Sequence, residues 1–209
     1  MKSKGCFVAL ALTASLIVLG LIVFGAGKYN MLVGLEQEVD KQWAQVENVY
    51  QRRADLIPNL VSTVKGAAEF EKETLESVIE ARARASQVNI SATSAPQTAQ
   101  QLKQFQQAQG ELSSALSRLL VTVERYPEIK ANANFRDLQA QLEGTENRIA
   151  VERKRFNEAA QGFNTAVKRF PTVLFAGLMG FQPKPYFEAT SGAERPPEIK
   201  FDFGTKNSG

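Results

Sequence analysis

The sequence predicts an all-α protein: an N-terminal transmembrane helix, a long antiparallel bundle of three to four helices, and a short extended C-terminal tail. Three observations predict it. Gly5 to Gly27 is uncharged. Apolar residues from Leu32 onward recur in steps of three, four and seven, which place them on one face of a helix. No segment before residue 171 alternates as a strand would.

The uncharged run has 23 residues. At about 1.5 Å per residue it spans the roughly 30 Å hydrocarbon core of a bilayer. The chain then divides into a flank (1–4), an anchor (5–27), a bundle (28–189) and a tail (190–209). A cleavable signal peptide is the competing reading, since Gly25-Ala26-Gly27 suits a signal peptidase. Its apolar stretch would be only about 7–15 residues. A lipoprotein would carry its cysteine after the apolar run, and Cys6 lies at its start. Basic residues flank both ends almost equally. The compact cluster of Lys2 and Lys4 favours an N-terminus inside. The bundle is then expected outside the cytoplasm.

Within the bundle the first stripe runs Leu32, Leu35, Val39, Trp43, Val46, Tyr50, Ile57, Leu60 and Val64. Pro58 interrupts it. A proline lacks the backbone donor and crowds the preceding turn, so a kink or break is expected near Asp55, and the helix count could rise to four. The pattern resumes at Leu75, Val78 and Ile79. Residues 89–100 carry small polar residues and Pro96, and read as a loop. Helix returns from Gln101 to Arg125 with Leu102, Phe105, Leu112, Leu116, Leu119 and Val123, and Tyr126-Pro127 closes it.

Asn134 to Phe170 carries the strongest period. Phe135, Leu138, Leu142, Thr145, Ile149, Glu152, Phe156, Ala159, Phe163, Val167 and Phe170 form a seam over about five heptads. Gly144 lies in this helix, where a glycine costs about 1 kcal/mol relative to alanine, and a neighbouring helix is expected to approach it. Asn147 and Arg148 are expected to bond Asp55 or the carbonyl that Pro58 frees. The segment 171–182 is apolar but too short to span a bilayer. It reads first as a cap on the bundle end, with insertion into the membrane interface beside the anchor as the alternative. Pro183, Pro185, Pro196 and Pro197 crowd the C-terminal stretch, and Ile199, Phe201 and Phe203 alternate as a short edge strand would.

Composition excludes much chemistry. The 209 residues include no histidine and one cysteine. Ser-His-Asp triads, Cys-His pairs and HExxH zinc sites are therefore out. Lys2 and Lys4 are two of the 25 basic residues, which leaves 23 against 22 acidic ones and no bulk attraction to nucleic acid. Ser62 and Lys65 match an S-x-x-K box, but its partner motifs are absent. Glu73, Glu76 and Glu80 share a helix face, where a salt-laced solvated surface outweighs a weak cation site. No cofactor or metal site is expected.

Four stretches carry a family resemblance: RRADLIPNLV (52–61), YPEIKANANFRDLQAQLEGTENRIAVERKRFN (126–157), FNTAVKRFP (163–171) and GLMGFQPKPYFEA (177–189). Together they resemble the LemA family of bacterial membrane proteins, in order and over nearly the whole chain. The resemblance implies a membrane-anchored helical bundle with no established enzyme activity. It also implies a genetic association with membrane metalloproteases of the HtpX type. The expected function is a non-enzymatic, self-assembling envelope scaffold. The alternative is an adaptor or regulator of a membrane metalloprotease, and a distant third is an enzyme using Ser62 and Lys65. Arg52, Arg53, Pro58, Tyr126, Pro127, Glu146, Asn147, Arg148, Tyr186 and Phe187 are the expected structural or partner-surface positions. Ile199, Phe201 and Phe203 are the expected self-assembly positions, in a homo-oligomer.

Overall fold

The computed structural model describes residues 2–66, 70–88 and 94–188, with side chains from residue 12 onward. The helices are α1 (Lys2–Lys65), α2 (Lys72–Gln87), α3 (Ala99–Val123), α4 (Pro127–Lys130) and α5 (Ala133–Lys168), followed by a 3-10 turn at Thr172–Leu174. Among the described residues there is no strand. The expected strand at Ile199, Phe201 and Phe203 lies outside them.

α1 is one unbroken helix of 64 residues. It carries the apolar run directly into the bundle with no intervening loop. The described side chains from Leu12 to Phe24 are exposed, whereas Leu32, Val39, Trp43, Val46, Ile57, Leu60 and Val64 are buried. One helix therefore serves two surroundings.

The expected break near Asp55 is not there, and α1 runs through Pro58 to Lys65. The reason is visible one turn back. A proline at 58 deprives the Ala54 carbonyl of its helical donor. Arg82 on α2 supplies another, donating from Nε to Ala54 O at 2.8 Å. Asn147 and Arg148, expected to fill this role, are exposed on α5. The chain instead divides after Lys65, and this division makes the fourth long helix.

α1, α2, α3 and α5 run up, down, up and down, as side-chain pairs show. Trp43 and Tyr50 meet Phe105, and Arg53 meets Gln109 and Ser113, so α3 runs parallel to α1. Trp43 meets Phe156 and Arg53 meets Glu146, so α5 runs antiparallel to α1. This is four-helix-bundle topology. α3 starts earlier than its apolar pattern suggests. Thr98 and Gln101 form a reciprocal capping box, so the loop ends at residue 98. Asn132 caps α5 by accepting from the Asn134 and Phe135 N–H groups.

Most of the expected seam is buried: Phe135, Leu142, Thr145, Ile149, Phe156, Phe163 and Val167. Leu138, Glu152 and Ala159 are half-buried. Phe170 departs from it, because α5 ends at Lys168 and the ring turns outward, 76% exposed. Gly144 departs too. It is exposed, and a Cβ built there meets nothing within 4 Å, so no helix packs on it.

The core has two parts. One gathers Leu32 to Tyr50 with Phe105, Phe156, Phe163, Phe181 and Phe187. The other gathers Ile57 to Val64 with Val78, Leu112 to Val123, Phe135 and Leu142. The first lies nearest the exposed apolar run, and the second lies at the far end.

Candidate functional site: a polar layer and a C-terminal strap

Arg53 sits between the two core parts. Its side chain is only 2% exposed, so burial would be costly without partners. Every partner comes from another helix. Nη1 donates to Ser113 Oγ and to Glu146 Oε2, both at 2.9 Å. Nη2 donates to Gln109 Oε1 at 2.5 Å and, at longer range, to the Gln109 carbonyl. The guanidinium also lies 5.0 Å from the Tyr50 ring centroid. Arginine suits the position because its planar fork can join its own helix to two others at once. Its Nε is buried without a partner. Glu146 is 56% exposed, so the pair is a half-solvated bridge and not a sealed one.

A groove of about 620 Å³ opens beside this layer, lined by Arg53, Gln109, Ser113, Glu146, Arg153 and Glu188 among others. It offers two guanidiniums, an ammonium, two carboxylates, hydroxyls and neutral amides. That set can bind polar groups, but it pairs no nucleophile with a base. Burial pushes the Tyr50 phenol above its ordinary pKa, with Arg153 and Arg53 opposing, so the phenol stays neutral. Burial likewise raises the Glu47 carboxyl, and the Trp43 indole N–H one turn away pulls the other way. Trp43 Nε1 and Glu47 Oε2 are both buried without hydrogen-bond partners.

The second feature is the strap, residues 181–188, which is extended and lies along α5. Phe181, Lys184 and Phe187 are buried and the residues between them are mostly exposed. A period of three is that of polyproline II, and Pro183 and Pro185 favour it. Two asparagines on α5 hold it. Asn164 accepts from Lys184 N–H at 2.7 Å and donates to Lys184 C=O at 2.8 Å. Asn157 does the same for Phe187, at 2.8 and 3.0 Å. Seven helical residues advance about 10.5 Å. Three extended residues advance about 9–10 Å. The two periods match, and each asparagine amide stands in for a strand neighbour.

Lys184 is buried and paired. Nζ donates to Glu36 Oε1 at 2.5 Å and Gln97 Oε1 at 2.7 Å, so the strap ties α1 to the turn before α3. Phe187 packs against Trp43 and Phe156, with Arg153 4.7 Å from its centroid. The Glu188 carbonyl accepts from Arg153 and Gln106.

The sequence-based site residues therefore scatter. Arg53 and Glu146 come together, and Phe187 joins the aromatic core. Arg52, Pro58, Asn147, Arg148 and Tyr186 lie exposed on the surface or partly so. Tyr126 packs its ring on Phe70, and Pro127 opens α4, far from the Arg53 layer in the chain's other core. Ser62 and Lys65 are exposed on the last turn of α1. Glu76 and Glu80 pair along α2 with Lys72 and Arg84. Sequence reasoning missed Gln109, Ser113, Arg153, Asn157, Asn164 and Lys184. The Asn157–Asn164 spacing and the three-residue period of 181–187 were the available signals.

The described residues form an all-helical bundle with one helix long and apolar enough to cross a membrane. More particularly, the chain belongs to the LemA family, whose sequence model matches residues 42–201. It is a LemA-type membrane-associated protein. It is 24% identical to magnetosome protein MamQ 2 of Paramagnetospirillum magneticum, over 92% of this chain and 76% of that one. It is 25% identical to magnetosome protein MamQ of Magnetospirillum gryphiswaldense, over 81% and 68%. It is also 21% identical to protein LemA of Metamycoplasma hominis, over 78% and 70%.

Proposed function

We propose that this chain is a non-enzymatic, single-pass, self-assembling scaffold of the bacterial cytoplasmic membrane, with Ile199, Phe201 and Phe203 as its assembly positions. The observation that carries the proposal is the continuity of α1 from its uncharged run to Lys65. A helix without a hinge transmits the orientation of its membrane segment to the bundle. The bundle is then held upright as a rod, at about 1.5 Å per residue roughly 50 Å tall from Leu32 to Val64. Anchoring confines copies to two dimensions, which raises their effective concentration and makes weak lateral contacts count. Lys2 and Lys4 favour an N-terminus inside, with the bundle extracytoplasmic.

The test is affinity purification of the full-length chain from native membranes, followed by light scattering in detergent. Copies of the same chain and a mass above the monomer support the scaffold. A monomer that brings down a metalloprotease supports the adaptor reading and overturns self-assembly. Full release by an alkaline carbonate wash overturns the anchor itself.

A further inference from the structure

We propose that the turn after α5, residues 170–178, dips into the membrane interface and forms a second bilayer contact beside the α1 anchor. This rests on the single-pass reading above. The turn is uncharged from Phe170 to Phe181. Its inward residues Thr172, Ala176 and Phe181 cap the bundle. Its outward residues are large and apolar: Leu178 is 90% exposed, Phe170 76%, Leu174 68% and Val173 50%. Capping therefore accounts for one side of the segment and leaves the other uncovered.

Its level in the molecule says what covers it. Trp43 faces Phe156 and Arg53 faces Glu146, so in this antiparallel register Phe170 lies level with Tyr29. A second contact agrees: the Tyr29 and Phe181 rings are 5.5 Å apart. Tyr29 is two residues beyond the end of the uncharged run. The turn thus stands at the boundary where α1 enters the hydrocarbon. Gln97, in the turn just before α3, lies farther from the anchor. Gln97 is tied through Lys184 to Glu36, eight residues or about 12 Å short of Lys28. Among the described parts of the bundle, only the turn reaches the bilayer.

Two further features suit lipid. Val173 N–H donates to the Arg169 carbonyl, and the N–H groups of Leu174 to Ala176 and of Met179 to Phe181 donate within the segment, which lowers the cost of meeting an interface. Lys168 and Arg169, just before the turn, and Lys28 on α1 supply cations at the headgroup level. Apolar side chains below a basic collar make an interfacial anchor, with a depth of about 5–10 Å.

The test uses the full-length chain with Cys6→Ser, reconstituted in vesicles of neutral and anionic phospholipid. An environment-sensitive dye is placed singly at Leu178→Cys, at Leu16→Cys in the anchor, or at Val121→Cys, an exposed apolar position in the distal part. Lipids carrying a quencher near the headgroup or deep in the chain are then added. The expected result is shallow quenching at 178, deep quenching at 16 and none at 121. Adding Leu174→Asp with a dye at Val173→Cys should abolish quenching there. A dye at 178 as unquenched as that at 121, with 16 still quenched, overturns the insertion and keeps the anchor. A blue shift at 178 without lipid quenching assigns the patch to a second copy and also overturns it. Loss of quenching at 16 removes the anchor reading on which the proposal stands.

Discussion

The two parts of the core differ in what fills them. The proximal part is aromatic: Trp43, Tyr50, Phe105, Phe156, Phe163, Phe181 and Phe187 meet edge to face or stacked at centroid distances of 4.9 to 6.2 Å. The distal part is aliphatic, with leucine, isoleucine, valine and alanine around the single fully buried ring of Phe135. The Arg53 layer lies between them. Rings fill the wider space where α1, α3, α5 and the strap converge. Small residues such as Ala81, Ala85 and Ala115 let α2 and α3 come close at the other end. The proximal part is thus built from distant pieces of chain, and the distal part from helices that neighbour one another. The end nearest the exposed apolar run is the one tied together by the strap.

The largest effect that would sharpen this contrast is at Trp43. Replacing it with alanine should cost about 3–5 kcal/mol in thermal or chemical unfolding. Leu142→Ala in the distal part should cost about 2–3 kcal/mol, toward the low end because the site is at the edge of its cluster. Native-state hydrogen exchange should then show the loss confined to the altered half. Equal loosening of both halves would mean that the Arg53 layer is no boundary.

Next comes the strap. Asn164→Ala removes both bonds to Lys184 and leaves its backbone N–H and C=O buried without partners, at about 1–3 kcal/mol. The loss should appear as faster exchange in 181–188 and across the proximal core, with the distal core unchanged. Unaltered exchange in the strap would mean that Phe181 and Phe187 hold it without the asparagines.

Arg53→Met should cost about 1–3 kcal/mol, because the buried Gln109 amide oxygen loses its donor. Glu146 adds little to this, since it is half exposed and can hydrate once freed. What should also change is the independence of the two halves, with Trp43→Ala now loosening both. A larger loss would instead make the layer a stabilising element in its own right.

The helices were legible because their apolar residues repeat at 3.6, and nearly every stripe position from Leu32 to Val167 is buried. Two of the misplaced features, the Pro58 break and the role of Asn147 and Arg148, share one cause. A local rule said what Pro58 removes from its own helix, but the replacement donor, Arg82, comes from a helix whose packing no period reveals. Phe170 was misread because the heptad was extended past the last helical turn. Phe187 was picked out by resemblance, whereas Asn157 and Asn164 looked like ordinary polar positions. Their meaning depends on an extended strand lying across them, which only the tertiary fold supplies.

The smallest effect is expected at Glu47, and its sign is fixed by the direction of its shift. Burial holds this carboxyl above its ordinary pKa, so the folded chain keeps the proton to higher pH than the unfolded chain does. Stability from such a group is complete below the unfolded-state pKa and is lost as pH rises through the folded one. Glu38 behaves oppositely. Its bonds from Gln42 and Lys41 hold it down, and its contribution is lost as pH falls. Glu47→Gln should therefore raise the melting temperature slightly near pH 7 and leave it nearly unchanged near pH 4, the ordinary carboxylate range. The gain stays small because the carboxyl is only partly buried and solvent screens it. Measuring Tm against pH for both chains checks this. Parallel curves would mean that Glu47 titrates alike in both states, so that the aromatic half carries no charge penalty. A gain confined to neutral pH would mark Glu47 as the place where the proximal core buries a carboxylate oxygen against its ring system without a partner to hold it.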